Sequence, residues 1–393
     1  MNLKIGKPYI KKAQGGTRLC SIISDNGNDY EMWFEVDDDY SEYLCYERAD
    51  AFLIAILPYA MEKSLGIYVE GEVSEQLYYQ INTLFIPSLS KFTPGYNKIK
   101  IDTRLNNLSF QSANGVGTGL SCGVDSFYSV ATHLNKETKD FNLTHVTFFN
   151  VGSNGDNGGD KARDLFNARL DFVKKYAYEN NFKLVRVDSN LSEFLNMSFL
   201  ATHTYRSLSA VLSLQKLFKT YYYSSGRTFN EFSLSRGKKN CTAYDLLNAH
   251  CFSNENTKFY ITGSTQTRIE KINIISNYKP TYKYLNVCVK EDYNCSHCEK
   301  CLRTMLGLYA LNKIDLYKDV FDLDDFYKNI NKRLAYLISN SNVIYYSESI
   351  NMIKLNNINI PIKSKIMGNV LKLKNIARKS DTLRKIVRSL KRD

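Results

Sequence analysis

Gly115 to His133 reads GVGTGLSCGVDSFYSVATH, and the rest of the chain is organised around it. The apolar, glycine-spaced run Val116 to Leu120 predicts a buried strand. Ser121-Cys122-Gly123-Val124-Asp125-Ser126 predicts a tight turn, and apolar residues at helical spacing predict a helix from about Phe127 to Leu134. A strand–turn–helix of this kind offers backbone N–H groups and the positive end of a helix dipole to an anion. Ser121 and Ser126 add hydroxyls, and Gly123 allows close approach to the backbone, so a polyphosphate fits the turn. The turn has no lysine and is not a Walker A loop. The plain alternative is that Ser and Asp here only cap a helix.

Outward from this point, residues 113–315 alternate strand and helix, the pattern of a parallel sheet. His145 to Val151 is an apolar strand that contains Asn150. A loop rich in Gly and Asn follows (Gly152 to Asp160), then an amphipathic helix from Lys161 to Asn180 and a third strand, Lys183 to Asp188. Ligands in open α/β sheets bind beyond the carboxyl ends of the strands. The turn and the Gly/Asn loop both belong there, and the loop reads as a mobile flap or as plain surface. Arg206 to Lys219 predicts a helix. Tyr221 to Arg227 predicts a fourth strand ending in Gly226-Arg227, where the arginine fork suits a carboxylate or phosphate, or a surface salt bridge. Lys258 to Thr262 is a fifth strand. It leads into a helix on which Arg268 and Lys271, three apart, share a face and can cradle an anion.

Cys288, Cys295, Cys298 and Cys301 follow within fourteen positions. Four thiolates at this density read as a closed, structural zinc site, with a [4Fe–4S] cluster as the rival. His297 stands between ligands and reads as solvent-exposed.

The turn is similar to the SGGxDS signature of the PP-loop ATP pyrophosphatases, with Cys122 in place of the middle glycine. Its order, turn first, then a Thr-Arg/Lys segment, then C-x6-C-x2-C-x2-C, resembles that of the 7-cyano-7-deazaguanine synthases and their relatives over about half the chain. The resemblance implies a PP-loop parallel-sheet domain that uses ATP and Mg2+, with structural Zn2+ on the four cysteines. It implies adenylation of an acid substrate with release of pyrophosphate, then attack by ammonia or an amine to form a C–N bond. Carried over by position, Ser121, Gly123, Asp125 and Ser126 hold phosphates and magnesium. Cys122, Val124, Asn150, Gly226 and Arg227 join them as nucleotide contacts, and Asp125, Ser126, Arg268 and Lys271 are the candidate catalytic group. A PP-loop RNA-modifying enzyme such as a thiolase is the second reading, and a non-catalytic nucleotide-binding protein the third.

Residues 1–112 read as a smaller α+β module with a half-buried strand from Tyr30 to Val36, a helix from Ala51 to Met61 and a strand from Lys98 to Asp102. Residues 316–362 read as a helical extension, with a further strand from Asn356 to Ile362. Of the net charge of +12, +9 comes from residues 363–393, which hold eleven Lys/Arg and two Asp. Ile366, Val370, Leu373, Ile376 and Ala377, then Leu383, Ile386, Val387 and Leu390, recur at helical spacing. This basic amphipathic tail suits RNA or an anionic membrane, or packs on the body by its apolar stripe. There is no run of about 18 apolar residues and no signal-peptide core, so the expected location is cytoplasmic, where nine cysteines stay reduced or bind metal. The five histidines form no pair, and no Ser/His/Asp order stands out.

Overall fold

The computed structural model describes residues 2–134, 138–236 and 240–379. The chain is α/β, with a mixed sheet of eleven strands. The strands are β1 (Asn2–Ile5), β2 (Tyr9–Ala13), β3 (Gly16–Asp25), β4 (Asn28–Val36), β5 (Gly66–Ser74) and β6 (Ile101–Asn106). They continue with β7 (Gly115–Gly119), β8 (His145–Asn150), β9 (Lys183–Ser189), β10 (Phe218–Ser224) and β11 (Lys258–Thr262). The spatial order is β11-β10-β7-β8-β9-β4-β3-β1-β5-β6, with β2 paired to β3. From β7 to β11 every pairing is parallel. In chain order these five strands lie third, second and first, then fourth and fifth, so the winding reverses between β7 and β10. In open α/β sheets ligands bind beyond the carboxyl ends of the strands at such a reversal.

The chain divides into two compact units. One comprises Met1–Ser121 and Ser129–Thr265; the other comprises Cys122–Tyr128 and Gln266–Asp393. The first unit holds the whole sheet, and the sheet runs unbroken past the boundary expected near residue 112. Its join is β4 against β9, antiparallel, with Phe34 opposite Ser189 and Val36 opposite Val187. The alternation of Tyr30 to Val36 marks a half-buried strand but is silent about which edge it pairs with. One hydrophobic core accordingly draws Leu3, Phe34 and Phe52 together with Val185, Tyr205 and Phe218. The helix Asp50–Lys63 packs on the helix Phe199–Leu212 within this unit. It buries Phe52, Leu53, Ile54, Ile56 and Leu57 completely. At about 1.5–3 kcal/mol for each such side chain, this burial outweighs the roughly 3 kcal/mol that Pro58 costs inside the helix.

The Gly/Asn loop is held down. The buried Arg206 guanidinium donates to the carbonyl of Asp156 at 2.9 Å and to Ser192 Oγ at 2.9 Å, and the Gly159 N–H donates to Glu193 Oε1 at 3.1 Å. A Cβ on Gly152 would fall 2.3 Å from that guanidinium. The expected flap is therefore a pinned loop, because Arg206 meets its hydrogen-bonding needs on the loop's own backbone.

The second unit is helical. No strand forms at 356–362. The helix Ile344–Leu355 ends at Asn356, Asn357 takes a left-handed φ of 52°, and a new helix, Ile362–Lys379, starts after Pro361. Alternating isoleucines without a strand to pair with remain a linker. The last helix packs on Ile330–Ser339 through Gly368, where an added Cβ would meet Ile338 at 2.6 Å, and through Ser364, which donates to Asn331 Oδ1. Ile362, Ile366, Val370, Leu373 and Ile376 stay exposed, so the apolar stripe is not the packing face. Leu383, Ile386, Val387 and Leu390 lie outside the described residues, as does the side chain of Ala377. No helix among the described residues is long and apolar enough to cross a membrane.

Candidate functional site

Strand β7, which leads in sequence to the turn, is crowded on both sides within the first unit. A Cβ on Gly117 would sit 2.6 Å from the Phe218 ring and 2.9 Å from Tyr221, which accounts for a glycine there. After Ser121 the backbone turns at Cys122, whose φ of 58° is left-handed. Glycine enters that region freely, whereas a residue with a Cβ pays roughly 1–2 kcal/mol in strain. The Cys122 carbonyl accepts from the Asn286 N–H at 2.8 Å. Its thiol is 1% exposed, and burial pushes it well above an ordinary thiol, so it serves as a small apolar filler and not a nucleophile. Cys122→Gly should stay within about 1 kcal/mol of the wild type, since relief of strain offsets the lost burial and the added chain entropy. Cys122→Val, β-branched at positive φ, should cost more than ~2 kcal/mol. Thermal unfolding of the two variants checks this, and a valine variant as stable as the wild type would refute the strain.

The helix Val124–His133 begins at this turn, so its first turn carries N–H groups with no acceptor inside the helix. Ser126, buried, donates its hydroxyl to the Gly123 carbonyl at 3.1 Å, and Val124 is buried as well. Asp125 holds the centre of the second unit's polar cluster. Lys271 Nζ lies 2.9 Å from its Oδ1, and Arg268 Nη1 lies 2.9 Å from its Oδ2. The acid is 28% exposed, whereas Lys271 is 3% and Arg268 11% exposed. Burial alone would raise the Asp125 pKa; the charges of Arg268 and Lys271 outweigh it and hold the carboxyl below its usual value. Both cations are set by the helix Arg268–Ile275, which starts on a capping box between Thr267 and Glu270.

Arg303 joins the cluster and escaped the sequence reading. Its guanidinium lies 4.5 Å from the centre of the Tyr345 ring, and that of Arg268 lies 5.8 Å from the same ring. The Nε atoms of Arg268 and Arg303 are buried without a hydrogen-bond partner. Arg268 and Lys271 face Asp125, Glu348 acts on Arg268 from the other side, and Arg303 adds a third cation over the shared Tyr345 ring; the buried Nε donors left over suit an anion. The signal for Arg303 was its place two positions after Cys301, on the helix Glu299–Ala310 that the cysteines anchor.

The other candidate residues make their bonds in the first unit. Asn150, at the end of β8, donates to Asp188 Oδ1 at 2.7 Å, its register partner on β9. Arg227 pairs with Glu231 at 3.1 Å and donates to Thr242 Oγ1 at 3.0 Å, the salt bridge weighed as the alternative. A Cβ on Gly226 would meet nothing within 4 Å, so crowding does not demand glycine there.

The four cysteines of the second unit converge. Their sulfurs all lie within 4.8 Å of one another, and those of Cys288 and Cys298 are 3.9 Å apart. Tetrahedral zinc, with Zn–S of about 2.3 Å, sets its sulfurs about 3.8 Å apart, so the donor set fits one such ion. A [4Fe–4S] cluster bonds each cysteine to a different iron and needs a wider ring of sulfurs. Ser296 turns the C-x2-C segment at a φ of 60°. The N–H groups of Lys290 and Glu291 point at Cys288 Sγ, and that of Cys298 at Cys295 Sγ. Asn294 braces the knot by donating to the Leu285 and Val320 carbonyls. His297 is 65% exposed and lies 3.7 Å from Asp325, outside the quartet. The cluster can hold a metal ion such as zinc.

Comparison with protein-family models, with curated proteins and with solved structures returns no match.

Proposed function

We propose that this chain is an ATP-dependent adenylating enzyme of the PP-loop type. It would cleave ATP to AMP and pyrophosphate and activate a carboxylate for C–N bond formation with ammonia or an amine. One observation carries the reading: the acid of the SCGVDS turn is ion-paired to Arg268 and Lys271, the two residues expected to hold pyrophosphate, across more than 140 residues of sequence. The strand order from β7 to β11, which reverses at β7, the strand directly before the turn in sequence, supports it as well.

A carboxylate oxygen would attack the α phosphorus of ATP. The α–β bridging bond breaks, its electron pair leaves with pyrophosphate, and an acyl-adenylate remains. The amine nitrogen then attacks the acyl carbon and AMP departs, the nitrogen losing a proton to solvent. Arg268, Lys271 and Arg303 suit the charge that gathers on the departing pyrophosphate, and the turn backbone suits the phosphates still attached. Asp125 positions the two cations. Each of its oxygens already faces a cation, so a Mg2+ ion on Asp125 would have to compete with Arg268 and Lys271 for it. The cysteine quartet offers no open coordination position, so a zinc ion there would fix the start of the helix that carries Arg303.

Incubation with ATP, ammonia and a panel of small acids should release AMP and pyrophosphate, and Arg268→Gln should slow this by about 100-fold. Release of ADP and phosphate, or unchanged turnover in Arg268→Gln, would overturn the proposal.

A further inference from the structure

The helix Ile362–Lys379 carries a face that the proposed function does not use. Ile362, Ile366, Val370, Leu373 and Ile376 are each between 45% and 74% exposed. At about 100° per residue these five fall within roughly 120° of the helix surface, so they form one stripe. Ser364 and Gly368, which meet Asn331 and Ile338 on the helix Ile330–Ser339, project from the opposite side. A surface helix ordinarily turns its apolar face inward. Here small residues make the inward contact, and the branched aliphatic side chains point away from the second unit. A contiguous exposed stripe of this kind marks an interaction surface.

Charge decides what covers it. Lys363 and Lys374 border one edge of the stripe, and Lys365 and Lys372 border the other. Lys372 also donates to Ser341 Oγ at 2.9 Å, which ties its edge to the second unit. The helix contains no Asp or Glu, and residues 363–393 supply +9 of the net charge of +12. A second copy meeting the first stripe to stripe would set lysine edges against lysine edges with no acid between them. A nucleic acid would match the lysines and leave five aliphatic side chains in water. An anionic bilayer answers both features. The aliphatic side chains enter the acyl boundary, and the lysine stems run outward until their ammonium groups reach the headgroup phosphates.

We propose that the helix Ile362–Lys379 is an interfacial anchor that lays the second unit on an anionic lipid surface, with the stripe inward and the lysines at the headgroups. Because the opposite face already holds the helix Ile330–Ser339, the anchor binds without leaving the second unit. The proposal is independent of the adenylation reading and requires no ATP.

The test is flotation of the full chain, at low salt and without ATP, with vesicles of phosphatidylcholine containing about a third phosphatidylglycerol. The wild type should float with these vesicles and bind phosphatidylcholine alone at least ~10-fold less tightly. Ile366→Gln combined with Leu373→Gln removes two aliphatic side chains from the stripe and should weaken binding at least ~10-fold. Both side chains are mostly exposed, so this double variant should unfold at the same urea concentration as the wild type, which separates lost docking from lost folding. Lys363→Gln combined with Lys374→Gln should weaken binding several-fold at low salt and little at high salt. A wild type that does not float, that binds neutral vesicles as tightly as anionic ones, or that floats no better than the Ile366→Gln, Leu373→Gln variant would overturn the proposal. A lipid-free dimer of the wild type that this variant abolishes would assign the stripe to a second copy instead. RNA binding that the variant retains, with no flotation of the wild type, would assign the lysines to nucleic acid.

Discussion

Asp125→Ala is expected to destabilise the second compact unit by about 3–5 kcal/mol, the range for removing one partner of a buried ion pair. The cost does not come from losing the carboxylate's own attraction. It comes from leaving Lys271, 3% exposed, and Arg268, 11% exposed, charged and without their acid. Asp125 itself is 28% exposed, so water entering the gap places the effect toward the lower end of that range. Asp125→Ala combined with Lys271→Met should recover part of the loss, because the second change removes the most deeply buried orphan. Urea denaturation of the two single variants and the double variant measures the coupling. Additive losses, with no recovery in the double variant, would show that the cluster is not a coupled unit.

Cys298→Ser is expected to have the other large effect. Metal bound to four thiolates contributes to folding directly, by roughly 10–16 kcal/mol for structural zinc in small domains. Removing one thiolate should release most of that contribution from the second unit. It should also loosen Cys298's place at the N-cap of the helix Glu299–Ala310. Metal content should fall from one zinc per chain toward none, and the variant should be poorly soluble or should unfold at lower urea. A strong chelator should do the same to the wild type. Iron with acid-labile sulfide in the purified protein would contradict the single-ion geometry. A folded, metal-free Cys298→Ser protein that binds ATP normally would contradict the structural role.

The two predictions draw on different kinds of information. Cys288, Cys295, Cys298 and Cys301 were legible as a quartet because ligands three residues apart on a turn converge by local geometry alone. The strand–turn–helix at Gly115 to His133 was legible for the same reason, since periodicity and turn chemistry act over a few residues. Arg268 and Lys271 could be placed on one helix face. That they grip Asp125 could not be read, because an ion pair across 146 residues leaves no mark on spacing. Arg303 was hidden by its neighbours, which drew attention as ligands.

By itself the sequence determined the local pieces of this protein: the parallel β/α alternation after residue 113, the strand–turn–helix at Gly115 to His133, the cysteine quartet and the basic character of the tail. Only the tertiary structure decided how those pieces are joined. It merged the N-terminal strands with the parallel sheet through β4 and β9, because a half-buried strand specifies its buried face and not its partner. It put Cys122 at a left-handed φ and turned an expected flap into a loop pinned by Arg206. Each of these depends on groups distant in sequence sharing one volume from which water is excluded, and it is that exclusion, not residue spacing, that sets which charges and donors must find one another.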